Sequence, residues 1–221
     1  MYSNSQITAD SSLSPIIEKL ESLFSKFNER FFRNELQKPV IAVSPNRRRG
    51  AYLGWCTLWK AWRTGYDQPN DEPKVKTGGY YEINMCAEYL ARPLEETCST
   101  LLHEMVHLHN LQLGIQDVSR SGLYHNKRFK TAAESHGLIV RKSERYGFCR
   151  TTLNDDAADF VASLNEDTFN LYRDVFSKTS VPKSSSAKRY VCPGGCGLII
   201  RATRDVRVLC IECGAELIKS C

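Results

Sequence analysis

Thr100-Leu-Leu-His103-Glu104-Met-Val-His107-Leu-His109-Asn110 is the stretch on which the reading of this chain turns. Upstream, Pro93, Glu95 and Glu96 supply the proline and acids that a helix N-terminus favours. A strong helix is therefore predicted from Pro93 to about Gly114. Four residues of helix turn through about 400°, so His103 and His107 share one face, roughly 6 Å apart. Two imidazoles need that separation to grip one zinc ion at about 2.0–2.1 Å. Glu104, one residue along, cannot be a third ligand on that face, but it can reach a water at the metal. That is the general-base position of a zinc hydrolase.

A catalytic zinc usually takes three protein ligands and keeps one position open. His109, His125 and His136 remain. His109 points about 200° away from His107 and is expected to be an exposed polar residue. His125 opens the next predicted helix, Asn126 to His136, after a Gly- and Ser-containing loop, and a helix–loop–helix return can bring it to the metal. His136 lies about 16 Å further along that helix axis, so both cannot hold one ion. Its place before Gly137 suits a cation at a helix C-terminus. His125 is the better-placed third ligand, with His136 and Glu134 as the alternatives.

Working outward, Ser14-Pro15 supplies an N-cap and a first-turn proline. Ile16, Leu20, Leu23, Phe24, Phe27 and Phe31 then mark an amphipathic helix to about Asn34. Strands are predicted at Pro39–Ser44, within Ala51–Trp62 and at Tyr80–Met85, with a loop over Tyr66–Gly79. The Tyr80–Met85 strand is expected to be an edge that pairs with an extended substrate. One or two short helices are predicted over Asp155–Phe176. The small, polar run after it is a linker.

The chain has nine cysteines, an odd count with no export signal ahead of it. Metal ligation or burial is therefore expected in place of disulfides. Cys192-Pro-Gly-Gly-Cys196 and Cys210-Ile-Glu-Cys213 form two glycine-flanked knuckles, a zinc-ribbon pattern in which four thiolates hold one structural zinc. Leu198–Ile200 and Val206–Leu209 are expected to be the two strands of its hairpin. Cys56, Cys86, Cys98 and Cys149 lack partner spacing and are expected to be buried small hydrophobes.

The formal charge is +5, a mild basicity that permits nucleic-acid contact without demanding it. Arg201, Arg204 and Arg207, and separately Arg47, Arg48 and Arg49, are candidate phosphate contacts. Trp55, Trp59 and Trp62 offer stacking faces, although tryptophans clustered this way more often belong to a core. Hydrophobic residues make up 42% and charged residues 25% of the chain, which excludes wholesale disorder. No apolar run reaches the ~18–20 residues of a membrane span. Residues Met1 to Ser14 lack the order of a signal peptide, so a cytoplasmic protein is expected, with nucleoid association possible.

Leu23–Phe32, the aromatic stretch around Trp55 and Cys56, Tyr81–Met85, Thr100–His107 and His125-Asn-Lys-Arg-Phe129 occur in the order seen in SprT-like proteins. The chain resembles that metalloprotease family, which includes the Spartan DNA–protein crosslink proteases, over roughly Ser14 to Phe148. It looks bacterial or phage-like, with no counterpart of Spartan's long regulatory tail. The resemblance implies a minimal zincin fold and cleavage of unstructured protein, stimulated in Spartan by DNA. It also implies that the third histidine opens the helix carrying an H-x-x-x-F pattern, here His125 and Phe129. Many SprT-like chains end in a similar ribbon.

The fold class expected is α+β. A metalloprotease domain spans residues 14–176, a linker 177–188 and a zinc ribbon 189–221. The function expected is a zinc endopeptidase with Glu104 as base, His103, His107 and His125 on a catalytic zinc, and Cys192, Cys196, Cys210 and Cys213 on a structural one. Its expected partners are protein substrate and DNA, single-stranded or crosslink-bearing, with no membrane and a monomeric chain. The competing reading is a non-catalytic zinc-ribbon factor that binds nucleic acid or serves transcription.

Overall fold

Leu20, Leu23, Phe24 and Phe27 place one apolar stripe on a first helix, and all four are fully buried. That helix, α1 (Ser14–Phe32), begins one residue earlier than its capping signal suggests. Leu13 holds the N-cap position without a side-chain bond, and the Ser12 hydroxyl accepts the Ser14 N–H at 3.1 Å. At the other end Arg33 adopts φ 54°, and the Asn34 N–H donates to the Asn28 carbonyl at 2.9 Å. The Asn28 side chain clamps both backbone groups of Leu36 at 3.1 Å, which fixes the reversal of the chain.

The computed structural model describes residues 12–46, 52–63, 78–174 and 187–220, and the chain divides into two units, Met1–Asp174 and Val175–Cys221. After α1 the first unit runs β1 (Val40–Ser44), β2 (Gly54–Cys56) and β3 (Glu82–Cys86), then a 3-10 turn at Ala87–Tyr89 and α2 (Leu94–Gln112). It continues with β4 (Val118–Ser119), β5 (Tyr124–His125), α3 (Lys127–Ser135), β6 (Leu138–Ser143), β7 (Gly147–Leu153) and α4 (Asp155–Ser163). The fold is α+β. Most of the predicted Tyr66–Gly79 loop lies outside the described residues.

One sheet has the order β1-β3-β2, with β3 parallel to β1 and antiparallel to β2. The strand expected to be an edge is thus the central one. Both sides of β3 are already paired, so no substrate can add to it, and the outer strands are β1 and β2. A second sheet runs β4-β5-β7-β6. Its β6–β7 hairpin carries a bulge between Arg141 and Ser143 and was not foreseen from the sequence.

Between these layers lies α2, buried at every position from Thr97 to Leu108. A helix apolar on only one stripe rests on a surface, whereas one covered on all sides runs through the interior. The His-Glu-x-x-His segment therefore sits inside the core. Leu101, Leu102, Met105 and Leu108 are fully buried there, each contributing about 1.5–3 kcal/mol of apolar burial.

The second unit contains β8 (Lys188–Val191), β9 (Ile199–Ala202) and β10 (Ile218–Ser220), in the order β10-β8-β9. The strand holding Ile199 and Ile200 pairs with β8, not with Val206–Leu209, where only a Leu209–Glu216 bridge forms. The expected hairpin partner is corrected accordingly: the first knuckle, closed by the Cys192 N–H donating to the Leu198 carbonyl at 3.0 Å, is itself the turn that joins β8 to β9. Among the described residues no helix is long and apolar enough to cross a membrane.

Candidate metal centres

One turn of α2 puts His103 and His107 on a common face, and their Nε2 atoms lie 3.2 Å apart. The third imidazole comes from β5, where His125 Nε2 is 3.2 Å from His103 Nε2 and 3.1 Å from His107 Nε2. His125 is the last residue of β5, one place before the α3 N-cap, so it does not itself open the helix. It is fixed from both sides of the strand. Its N–H donates to the Tyr146 carbonyl at 3.0 Å, and Val118 and Gly147 flank it in the sheet. Gly147 has φ 69°, and any Cβ there would collide with the His125 carbonyl.

Asn126 ties the next helix to the same place. Its Oδ1 accepts from the N–H groups of Arg128 and Phe129, while its own N–H donates to the Asp117 carbonyl. The fully buried Phe129 ring then stands behind all three imidazoles, at centroid distances of 4.6, 4.6 and 4.8 Å.

The ring orientations are set by two residues that no motif singles out. Asp117 Oδ2 accepts from His107 Nδ1 at 2.8 Å and from Asn110 Nδ2 at 2.9 Å. Thr151 Oγ1 lies 3.1 Å from His103 Nδ1. With each Nδ1 carrying the donated proton, both Nε2 lone pairs aim at a shared point. Burial, then the neighbouring histidines, holds His103 well below its ordinary pKa, and burial with His107 takes His125 down to about 4. Burial also depresses His107, but the hydrogen bond and charge of Asp117 outweigh it and raise the net value.

Three nitrogens this close cannot all be satisfied by one another, because neutral imidazoles present lone pair to lone pair. Ligands about 2.0–2.1 Å from a tetrahedral centre are about 3.3 Å from each other, close to the spacing observed. The donor set suits a divalent ion such as zinc, and these residues can hold one. His125 Nδ1 is buried without a hydrogen-bond partner among the described residues.

Glu104 is 5% exposed and lines, with the three histidines, a cleft of about 1070 Å³. The cleft is walled by β2, α2, the β4–β5 turn and β7. Gly54 lets β2 approach α2: a Cβ there would sit 2.8 Å from the Asn84 carbonyl and 3.5 Å from Glu104 Cγ.

The other candidates fall elsewhere. His109 is not exposed as expected, since its ring packs 5.7 Å from Phe32 and 4.6 Å from His136. His136 stacks on Phe32 at 4.3 Å. Burial lowers its pKa, against the bond its Nδ1 makes to the Ala132 carbonyl, so the expected C-terminal cation is corrected to a depressed, ring-packed imidazole. Glu134 pairs with Lys130 at 3.7 Å, away from the triad. The tryptophans are not core: Trp59 is 65% and Trp62 46% exposed, and Trp55 is half-buried. Cys86 and Cys98 are buried, and Cys56 and Cys149 are half-buried in the cleft wall. Burial and then the Glu104 charge push the Cys56 thiol up.

In the second unit the Sγ atoms of Cys192, Cys196, Cys210 and Cys213 lie within 4.8 Å of one another, and Cys196 and Cys210 are 3.5 Å apart. The Gly194 N–H donates to Cys192 Sγ at 3.3 Å, the contact that favours a thiolate. This set also fits one tetrahedral ion. Around it, Arg207 is committed to Glu216 by two bonds of 2.7 and 3.0 Å, so it is not free for phosphate. Arg201 and Arg204 are exposed. Arg47, Arg48 and Arg49, like Cys221, lie outside the described residues.

No curated protein and no solved structure matches the chain. The SprT-like family model matches residues 20–148, a span that contains all three histidines of the triad. Since it takes in more than half of the 221 residues, the chain belongs to the SprT-like family.

Proposed function

We propose that this protein is a zinc-dependent endopeptidase, with His103, His107 and His125 as the ligands of a catalytic zinc and Glu104 as the general base. The observation that carries the reading is the mutual 3.1–3.2 Å approach of the three Nε2 atoms beside a buried carboxylate in one cleft. Zinc, when bound, supplies Lewis acidity, which acidifies water and polarises a peptide carbonyl.

The remaining work falls to the chain. Glu104 accepts the proton of the attacking water and delivers it to the leaving amine. Asp117 and Thr151 keep two imidazoles in one tautomer, so that lone pairs rather than protons face the reacting groups. An extended substrate pairs with β2, the edge strand that lines the cleft, because backbone pairing grips a chain regardless of its sequence. Cys192, Cys196, Cys210 and Cys213 hold a second, structural zinc. The substrates are unstructured proteins on or near DNA, in keeping with the family.

Cleavage of casein by the zinc-loaded chain, with and without single-stranded DNA, tests this against Glu104→Gln. The variant is expected to keep its metal while losing about 10²–10⁴-fold in kcat. Equal turnover in both proteins would remove Glu104 from the mechanism. Silence in both would favour the non-catalytic nucleic-acid factor.

A further inference from the structure

The chain's net charge is +5, yet residues 120–152 alone carry eight cations against two carboxylates, a net +6. The excess is therefore local. It gathers on α3 and the β6–β7 hairpin, a region that no motif marked as a binding surface.

On α1 the cations are neutralised: Lys19 and Lys26 meet Glu166, and Arg30 meets Asp156. On the hairpin face this fails. Of the eight, only Lys130 makes an ion pair among the described residues, with Glu134 at 3.7 Å. Arg141 and Arg150 are directly opposed across β6 and β7, and both are exposed. Like charges in that register repel, and an arrangement that keeps them unpaired is poised for an outside anion.

The cations also interleave with aromatic rings. Lys130 from α3 and Lys142 from β6 both lie over Phe148, at 5.5 and 5.9 Å. Arg145 lies over Tyr146 at 5.1 Å, and Arg120 over Tyr124 at 4.9 Å. All three rings are half-buried, so each keeps solvent-facing surface. A surface of this composition presents charge to phosphates and π-faces to bases. An acidic protein needs only the charge, whereas the alternation of cations with rings matches a strand of alternating phosphates and bases.

We propose that the α3/β6–β7 face is a binding surface for single-stranded nucleic acid. Phosphates engage Arg141, Lys142 and Lys130, and bases stack at Phe148, Tyr146 and Tyr124 as the cations move off the rings. Because Tyr146 and Arg150 also line the cleft, a strand on this face ends at the rim of the candidate active site. Binding itself is independent of the proteolytic reading, and only its use in bringing bound proteins to Glu104 rests on that reading.

The test is fluorescence anisotropy of the full zinc-loaded chain with a labelled oligothymidylate of about 20 nucleotides, longer than the ~4–16-nucleotide sites of single-strand binders. Arg141→Glu/Lys142→Glu and, separately, Lys130→Glu/Arg145→Glu should each weaken binding about tenfold or more. The slope of log affinity against log salt should fall by about 1.4 for two lost contacts at ~0.7 each. Arg141→Gln/Lys142→Gln, the milder pair, should give an intermediate loss, with circular dichroism confirming the fold. Unchanged isotherms overturn the proposal. So does tighter binding of a duplex of equal length, a loss traced wholly to Arg201→Glu on the ribbon, or a defect confined to phosphatidylserine vesicles. Casein cleavage without DNA is expected to survive both double variants. Binding lost with cleavage intact supports the surface, and a parent that binds but never cleaves refutes the enzyme alone.

Discussion

Asp117 illustrates how much one side chain can govern from outside a ligand set. It receives His107 Nδ1–H and the Asn110 amide on the same oxygen, so Asp117→Asn keeps the shape while removing the charge that steadies the ring. Zinc affinity at the histidine site, measured by chelator competition, is expected to fall about 10–100-fold. Thr151→Val should instead show in urea denaturation. It leaves a buried Nδ1–H on His103 without its acceptor, a cost of about 1–3 kcal/mol. The shared face of His103 and His107 was legible because helical geometry ties spacing to direction, whereas His125 was read only from its place at a loop end. Asp117 and Thr151 were not legible, since a single acid between Gln116 and Val118 and a threonine on a strand carry no periodic signal. Partnership with a residue 48 positions away is created only by the fold.

Among the elements, β2 has the least room for change. Gly54→Ala places a methyl 2.8 Å from the Asn84 carbonyl and 3.3 Å from Thr100 Cγ2, and should cost about 1–3 kcal/mol as overpacking. Peptidase activity should fall with it, because relief requires β2 to retreat from Glu104. The opposite sign is expected at the end of α1. Arg33 sits at φ 54°, where a Cβ is strained by roughly 1 kcal/mol, so Arg33→Gly should raise the melting temperature. The helices were legible from apolar spacing alone. The β6–β7 hairpin was missed because Arg141-Lys142 interrupts its alternation just where the strand bulges. Strand order was hidden as well: nothing in Tyr80–Met85 announces that β1 will pair with it in parallel.

At the scale of the whole chain, the two units differ in what supports them. Among its described residues, unit Val175–Cys221 has a core of four buried residues, two of them cysteines of the thiol cluster, too little to fold without a metal. Mass spectrometry is expected to find two zinc ions per chain. Full chelation should leave the first unit folded, resting on α2, while exposing the second to protease. The ribbon's strand pairing was not legible in the sequence, because spacing between knuckles does not say which neighbour a strand will choose. The placement of Phe129 has a kinetic corollary. With that ring sealing the rear of the triad, the cleft is the way in and out for an ion, and on the proposed proteolytic reading for the peptide as well. A tight competitive inhibitor seated there should slow the escape of zinc to a scavenging dye, so that residence of the metal becomes a clock for occupancy of the enzyme.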